Sequence, residues 1–72
     1  MKDSRNKILA RNIKAERIRG NLTQFELAEK IGVSEGSISL IERGIQTPSV
    51  FVVYDISKIL NLDIKELFKN IE

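Results

Sequence analysis

The sequence predicts an all-α fold, a compact five-helix domain over residues 1–72, and three observations predict it. Apolar residues recur at helical spacing, as in Leu27, Ala28 and Ile31 and again in Ile38 and Ile41. Helix stops and starts alternate along the chain: Gly20-Asn21 and Gly32 read as stops, Thr23 with Glu26 and Asp63 with Glu66 as capping boxes. The run Val50 to Tyr54 would be a strand on propensity alone, but no second strand exists to pair with it, and Val53, Ile56 and Leu60 carry a helical stripe onward.

Residues 1–6 are polar and are expected to form a flexible arm. A first helix follows from about Asn6 to Arg19, with Ile8 or Leu9, then Ile13, on its inner stripe and Leu22 just beyond its end. Arg17 falls on that same stripe, and a buried Arg is rarely tolerated without a partner. A second helix, about Gln24 to Ile31, is capped by Thr23. Its Ala28 is small enough for a close crossing, Gly32 is free to take the left-handed conformation that ends it, and Val33 plugs the turn.

The third helix, about Glu35 to Arg43 with Ser34 as N-cap, turns Ile38 and Ile41 inward. Two helices joined by so tight a turn make a helix-turn-helix unit. The outward face of its second helix is then Glu35, Gly36, Ser39, Leu40 and Arg43, with Ser37 at the edge. Positions 36, 39, 40 and 43 follow the i, i+3, i+4, i+7 pattern, so one groove can meet them all. Gly44 stops this helix and Ile45-Gln46-Thr47 forms a loop. Pro48-Ser49 starts a fourth helix, capped by Thr47 or Ser49 and running to Asn61; it is apolar on more than one face, which leaves Phe51 or Tyr54 exposed or in an interface. Leu62 closes the core. A last helix, about Ile64 to Asn70, turns Leu67 inward and leaves Ile64, Phe68 and Ile71 as an apolar patch. There is no repeat, linker or low-complexity segment.

Within Gln24–Arg43, Ala28, Gly32, Ile38 and Ile41 match the helix-turn-helix signature. The wider run from Leu22-Thr23-Gln24 through Glu42-Arg43-Gly44 to Thr47-Pro48-Ser49 resembles the Cro/phage-repressor type, also called the XRE family, over roughly residues 9–68. The resemblance implies a lambda-repressor-like fold. It implies that Arg17 pairs with Glu42 in a structural salt bridge locking the first helix to the third. It also implies that the N-terminus of the second helix meets a DNA phosphate, with Thr23 as cap and Gln24 both donating to the phosphate and buttressing the third helix. The third helix is then the reader in the major groove, with Ser34, Glu35, Gly36, Ser37, Ser39, Leu40 and Arg43 as candidate DNA-binding residues and Gln46 in the loop beyond. Relatives of this type often make their two-fold dimer contact near the C-terminus, which points to Ile64, Phe68 and Ile71. Completion of the monomer core by Phe68 is the other reading of that patch.

The reading face is chemically sparse. Arg43 is its only cation and more readily grips phosphate than a base edge; Glu35 accepts from cytosine N4 but repels phosphate; Ser37 and Ser39 donate or accept; Leu40 can touch a thymine methyl. This departs from relatives that carry Gln, Arg, Lys or Asn there.

Composition narrows the class. The chain has no Cys and no His, which excludes disulfides, thiolate metal sites and a His-activated nucleophile, and its carboxylates form no ligand-spaced cluster. No metal, cofactor or enzymatic activity is expected. With 42% hydrophobic and 31% charged residues and no apolar run of membrane length, a cytoplasmic protein with no membrane partner is expected. Net charge is only +2, but residues 1–22 carry seven basic and two acidic side chains and the remainder five and eight. A bipolar domain of this kind can hold DNA on its basic side. The resemblance implies the expected function, a sequence-specific DNA-binding transcriptional regulator, a repressor acting as a homodimer on a palindromic stretch of double-stranded DNA. The alternative is a protein-binding adaptor or antitoxin-like module that keeps the fold with weak DNA contact.

Overall fold

The computed structural model describes residues 4–72. Among them are four α-helices, α1 (Ser4–Arg19), α2 (Gln24–Ile31), α3 (Glu35–Glu42) and α4 (Val50–Ile59), followed by one 3-10 helix, Ile64–Phe68. No described residue is in a strand. The core is a single cluster built from every element: Leu9 and Ile13 of α1, Leu27 and Ala28 of α2, Ile38 and Ile41 of α3, Val53 and Ile56 of α4, and Leu67 of the 3-10 helix. Leu22, Val33 and Leu62, each at a connection, pack against it half-buried.

Three boundaries differ from expectation. Helix α1 begins at Ser4, so Ser4, Arg5 and Asn6 belong to the helix and not to an arm over residues 1–6; residues 1–3 lie outside the described residues. The physical reason is a tertiary anchor: the Asn6 side-chain amide donates to the Gly44 carbonyl at 3.1 Å, which holds the first turn against the loop after α3. Helix α3 ends at Glu42 with Arg43 as its C-cap, and Gly44 follows at φ 75°. The Val50–Tyr54 run is helical, with Ser49 as N-cap accepting from the Val52 N–H at 3.1 Å, and the helix stops at Ile59, short of Asn61.

The expected fifth α-helix over 64–70 is the largest correction. Ile64–Phe68 is a 3-10 helix. The Glu66 N–H donates to the Asp63 carbonyl at 2.9 Å, an i→i+3 bond, and Asp63 Oδ1 accepts from the Lys65 N–H at 3.0 Å. The expected capping box does not close, because the Glu66 carboxylate pairs forward with Lys69 at 3.1 Å. Asn12 of α1 fixes the far end, donating to the carbonyls of Leu67 and Lys69 at 2.9 and 2.8 Å. Five residues tied at both ends and carrying one fully buried side chain, Leu67, have no room for a second α-turn.

Candidate nucleic-acid interface

The α2–turn–α3 unit is specified locally at each junction. Thr23 Oγ1 accepts from the Glu26 N–H at 3.0 Å while the Glu26 carboxylate accepts from the Thr23 N–H at 2.9 Å, a closed capping box. That backbone N–H, then the Thr23 hydroxyl, holds the Glu26 carboxyl below the usual carboxylate range. A depressed folded-state value means that the carboxylate's half of the box is fully present at neutral pH and weakens as pH falls through it, while the bond from the Glu26 N–H to Thr23 Oγ1 does not titrate. Gly32, at φ 78°, ends α2 with its N–H on the Ala28 carbonyl, and the Val33 N–H bonds the same oxygen. Ser34 Oγ then accepts from the Ser37 N–H at 3.0 Å to start α3.

A buried polar lock ties this unit to α1. Arg17 Nε and Nη2 donate to Glu42 Oε2 and Oε1 at 2.7 and 3.0 Å, a bidentate pair, while Arg17 Nη1 donates to the Leu22 carbonyl at 2.7 Å. The Gln24 side-chain amide also donates to Glu42 Oε1, at 3.0 Å. Glu42 therefore gathers α1, the start of α2 and the end of α3 on one carboxylate whose side chain is only 2% exposed. Gln24 thus buttresses α3 directly.

The remaining candidates fall on the outside of α3. Ile38, Ile41 and Glu42 are buried, whereas Glu35, Gly36 and Arg43 are exposed and Ser37, Ser39 and Leu40 half-buried. Ser34 and Ser37 are joined through their hydroxyls at 3.0 Å. Arg43 Nε makes a long 3.4 Å bond to the Ser39 carbonyl and stays at the surface. Gln46 and Thr47 are exposed in the loop beyond. Of the C-terminal trio, Ile64 and Ile71 are half-buried against the core and Phe68 is 40% exposed. Leu9, Thr47, Phe68 and Ile71 border an apolar pocket of about 260 Å³. Further exposed apolar side chains lie on α4, where Val50, Phe51 and Tyr54 are 65%, 76% and 50% exposed.

Sequence reasoning missed the parts played by Asn6 and Asn12. Both are Asn inside a helix, where that residue is intrinsically unfavourable and its amide seeks a backbone partner elsewhere. That was the available signal. Glu16, buried beside Arg19 with a 3.5 Å ion pair, was missed as well.

Two helices packed on each other across a tight turn, with Ala28 buried on the first, the outer side of the second left open and its end locked by a buried ion pair, make a helix-turn-helix unit. Known proteins agree. The helix-turn-helix family pattern matches residues 13–67. An uncharacterized HTH-type transcriptional regulator of Archaeoglobus fulgidus is 38% identical over 56 residues, covering 78% of this chain and 79% of that protein. A second, from Methanocaldococcus jannaschii, is 42% identical over 48 residues, 67% of this chain and 73% of that one. The restriction-modification controller protein C.AhdI of Aeromonas hydrophila shares the fold at a TM-score of 0.85 with 20% identity, over 90% of this chain and 98% of that one. The SOS-response repressor LexA of Eubacterium rectale superposes at 0.86 with 26% identity, over all of this chain and 79% of that one. The chain belongs to the XRE-type helix-turn-helix family of transcriptional regulators, which bind double-stranded DNA.

Proposed function

We propose that the protein is a sequence-specific repressor that binds a palindromic operator as a homodimer, each subunit laying α3 in the major groove, with half-sites about one helical turn apart. The observation that carries this is the division of α3: its inner side is buried and tied down through Glu42, and its outer side presents Gly36, Ser39, Leu40 and Arg43 together. The N-terminal end of α2, capped by Thr23, meets the phosphate backbone, with the second N–H of the Gln24 amide as donor. Arg43, Gln46 and the Ser34 end of α3 complete the phosphate contacts. Ser37, Ser39, Leu40 and Glu35 read base edges.

The test is fluorescence anisotropy on the DNA upstream of the protein's own gene, beside a scrambled duplex, at two salt concentrations. Binding that favours the upstream duplex and falls by about 0.9 log units per log unit of salt for each neutralised phosphate supports the proposal. Arg43→Ala is expected to lower affinity several-fold on every duplex alike and to flatten the salt slope by about 0.9 for each subunit, about 1.8 for the dimer. A changed sequence preference would instead make Arg43 a base reader. Gln24→Ala is expected to weaken binding uniformly too, with a modest loss of stability because it also removes a donor from Glu42.

The dimer contact is proposed to use Phe68 and Ile71 together with the exposed side chains of α4, a helix that packs against the 3-10 helix. Phe51→Glu, at the most exposed of these positions, is expected to give a folded monomer by sedimentation and to weaken operator binding steeply. A dimer that survives both Phe51→Glu and Phe68→Glu would place the contact elsewhere.

A protein-binding adaptor is the second reading, favoured by the single cation on the α3 face. Its mark is salt-insensitive binding to a protein and no affinity for either duplex.

A further inference from the structure

Four glycines occur in the chain, and the fold accounts for three of them. Gly32 and Gly44 sit at φ 78° and 75°, where a side chain is strained. At Gly20 a Cβ would lie 3.1 Å from Leu60 Cδ2, too close for the core to accept unmoved. Gly36 has neither reason. It is the second residue of α3, has no positive φ, is exposed, and a Cβ there would meet only Ser34 Oγ, at an ordinary 3.8 Å. Glycine inside a helix is destabilising relative to alanine because it loses more backbone freedom on folding. Among the described residues no crowding or positive φ calls for glycine there.

We infer, on the basis of the DNA-binding role proposed above, that Gly36 is a steric specificity element: its bare backbone seats the 5-methyl group of a thymine in the major groove, with Leu40 one turn on closing the apolar side of the contact. Two features of the face and one of the DNA select that ligand. Gly36 has no side-chain donor or acceptor, so it reads shape alone. Leu40, at i+4 on the same side and half-buried, makes the adjoining surface apolar. The thymine methyl is the one apolar group that base pairs present in the major groove. A side chain at position 36 would occupy the volume the methyl takes.

The test pairs a methyl added to the protein with a methyl removed from the DNA. A preferred duplex is first enriched from a random-sequence library with the wild-type protein. Gly36→Ala is then compared with wild type on that duplex and on versions in which each thymine in turn is replaced by deoxyuridine. Gly36→Ala is expected to melt at or above the wild-type temperature, yet to bind the thymine duplex roughly tenfold more weakly. At one thymine per half-site, deoxyuridine should weaken wild-type binding and restore most of the affinity of the Gly36→Ala protein. Equal affinity of the two proteins for the thymine duplex overturns the inference, as does wild-type binding indifferent to the methyl at every thymine. Failure of the wild type to enrich any duplex is a different result, and it removes the DNA-binding proposal itself.

Discussion

Replacing Arg17 with alanine is expected to remove a large part of the domain's stability. Glu42 has a nearly inaccessible carboxylate, and Arg17 supplies two of the three side-chain hydrogen bonds it accepts. Removing one partner of a buried ion pair typically destabilises by about 3–5 kcal/mol, since the other charge stays buried. The Leu22 carbonyl loses its Arg17 donor in the same step. A domain of this length has a total stability of only about 4–11 kcal/mol at the usual values per residue. Thermal melting followed by circular dichroism should therefore show a large fall in Tm. Replacing both partners with apolar residues, Arg17→Met with Glu42→Leu, should recover most of that loss, because no orphaned charge remains. A single variant melting within a few degrees of wild type would mean that the lock contributes little.

The second large effect is expected at Leu67. It is fully buried and is the one buried residue after Ser57, so the whole C-terminal segment closes the core through a single side chain. Leu67→Ala should lower stability by about 2–5 kcal/mol, the range for buried leucines whose cavity collapses only partly. Urea unfolding reads it directly, with the midpoint falling and the slope unchanged. Asn12→Ala should move the midpoint in the same direction by less, through the loss of two hydrogen bonds to the end of the 3-10 helix. A truncation that removed Leu67 would therefore change stability before it reported on assembly. The dimer is better tested by surface changes at Phe51 and Phe68, which leave the core intact.

Much of the candidate site was legible because its signals are local. Thr23 and Glu26 form a capping box whose partners lie three residues apart, and Gly32 ends a helix through its own φ. Ile38 and Ile41 face inward because three residues bring a helix back to the same side, which leaves 36, 39, 40 and 43 facing out. The reading of Val50–Tyr54 as helix against its strand propensity rested on tertiary logic of the simplest kind, the absence of a pairing partner, and the chain is helical there.

What the sequence by itself determined is the helix-turn-helix unit, since caps, turn and stripe are all encoded within the range over which a helix repeats. The tertiary structure alone decided how the two ends of the described residues settle. Residues 4–6 are helical because Asn6 finds the Gly44 carbonyl across 38 positions, and residues 64–68 wind as a 3-10 helix because Asn12 and the socket for Leu67 hold them from a distance. A five-residue segment cannot stabilise its own hydrogen-bonded turns, so its geometry is set by what it packs against.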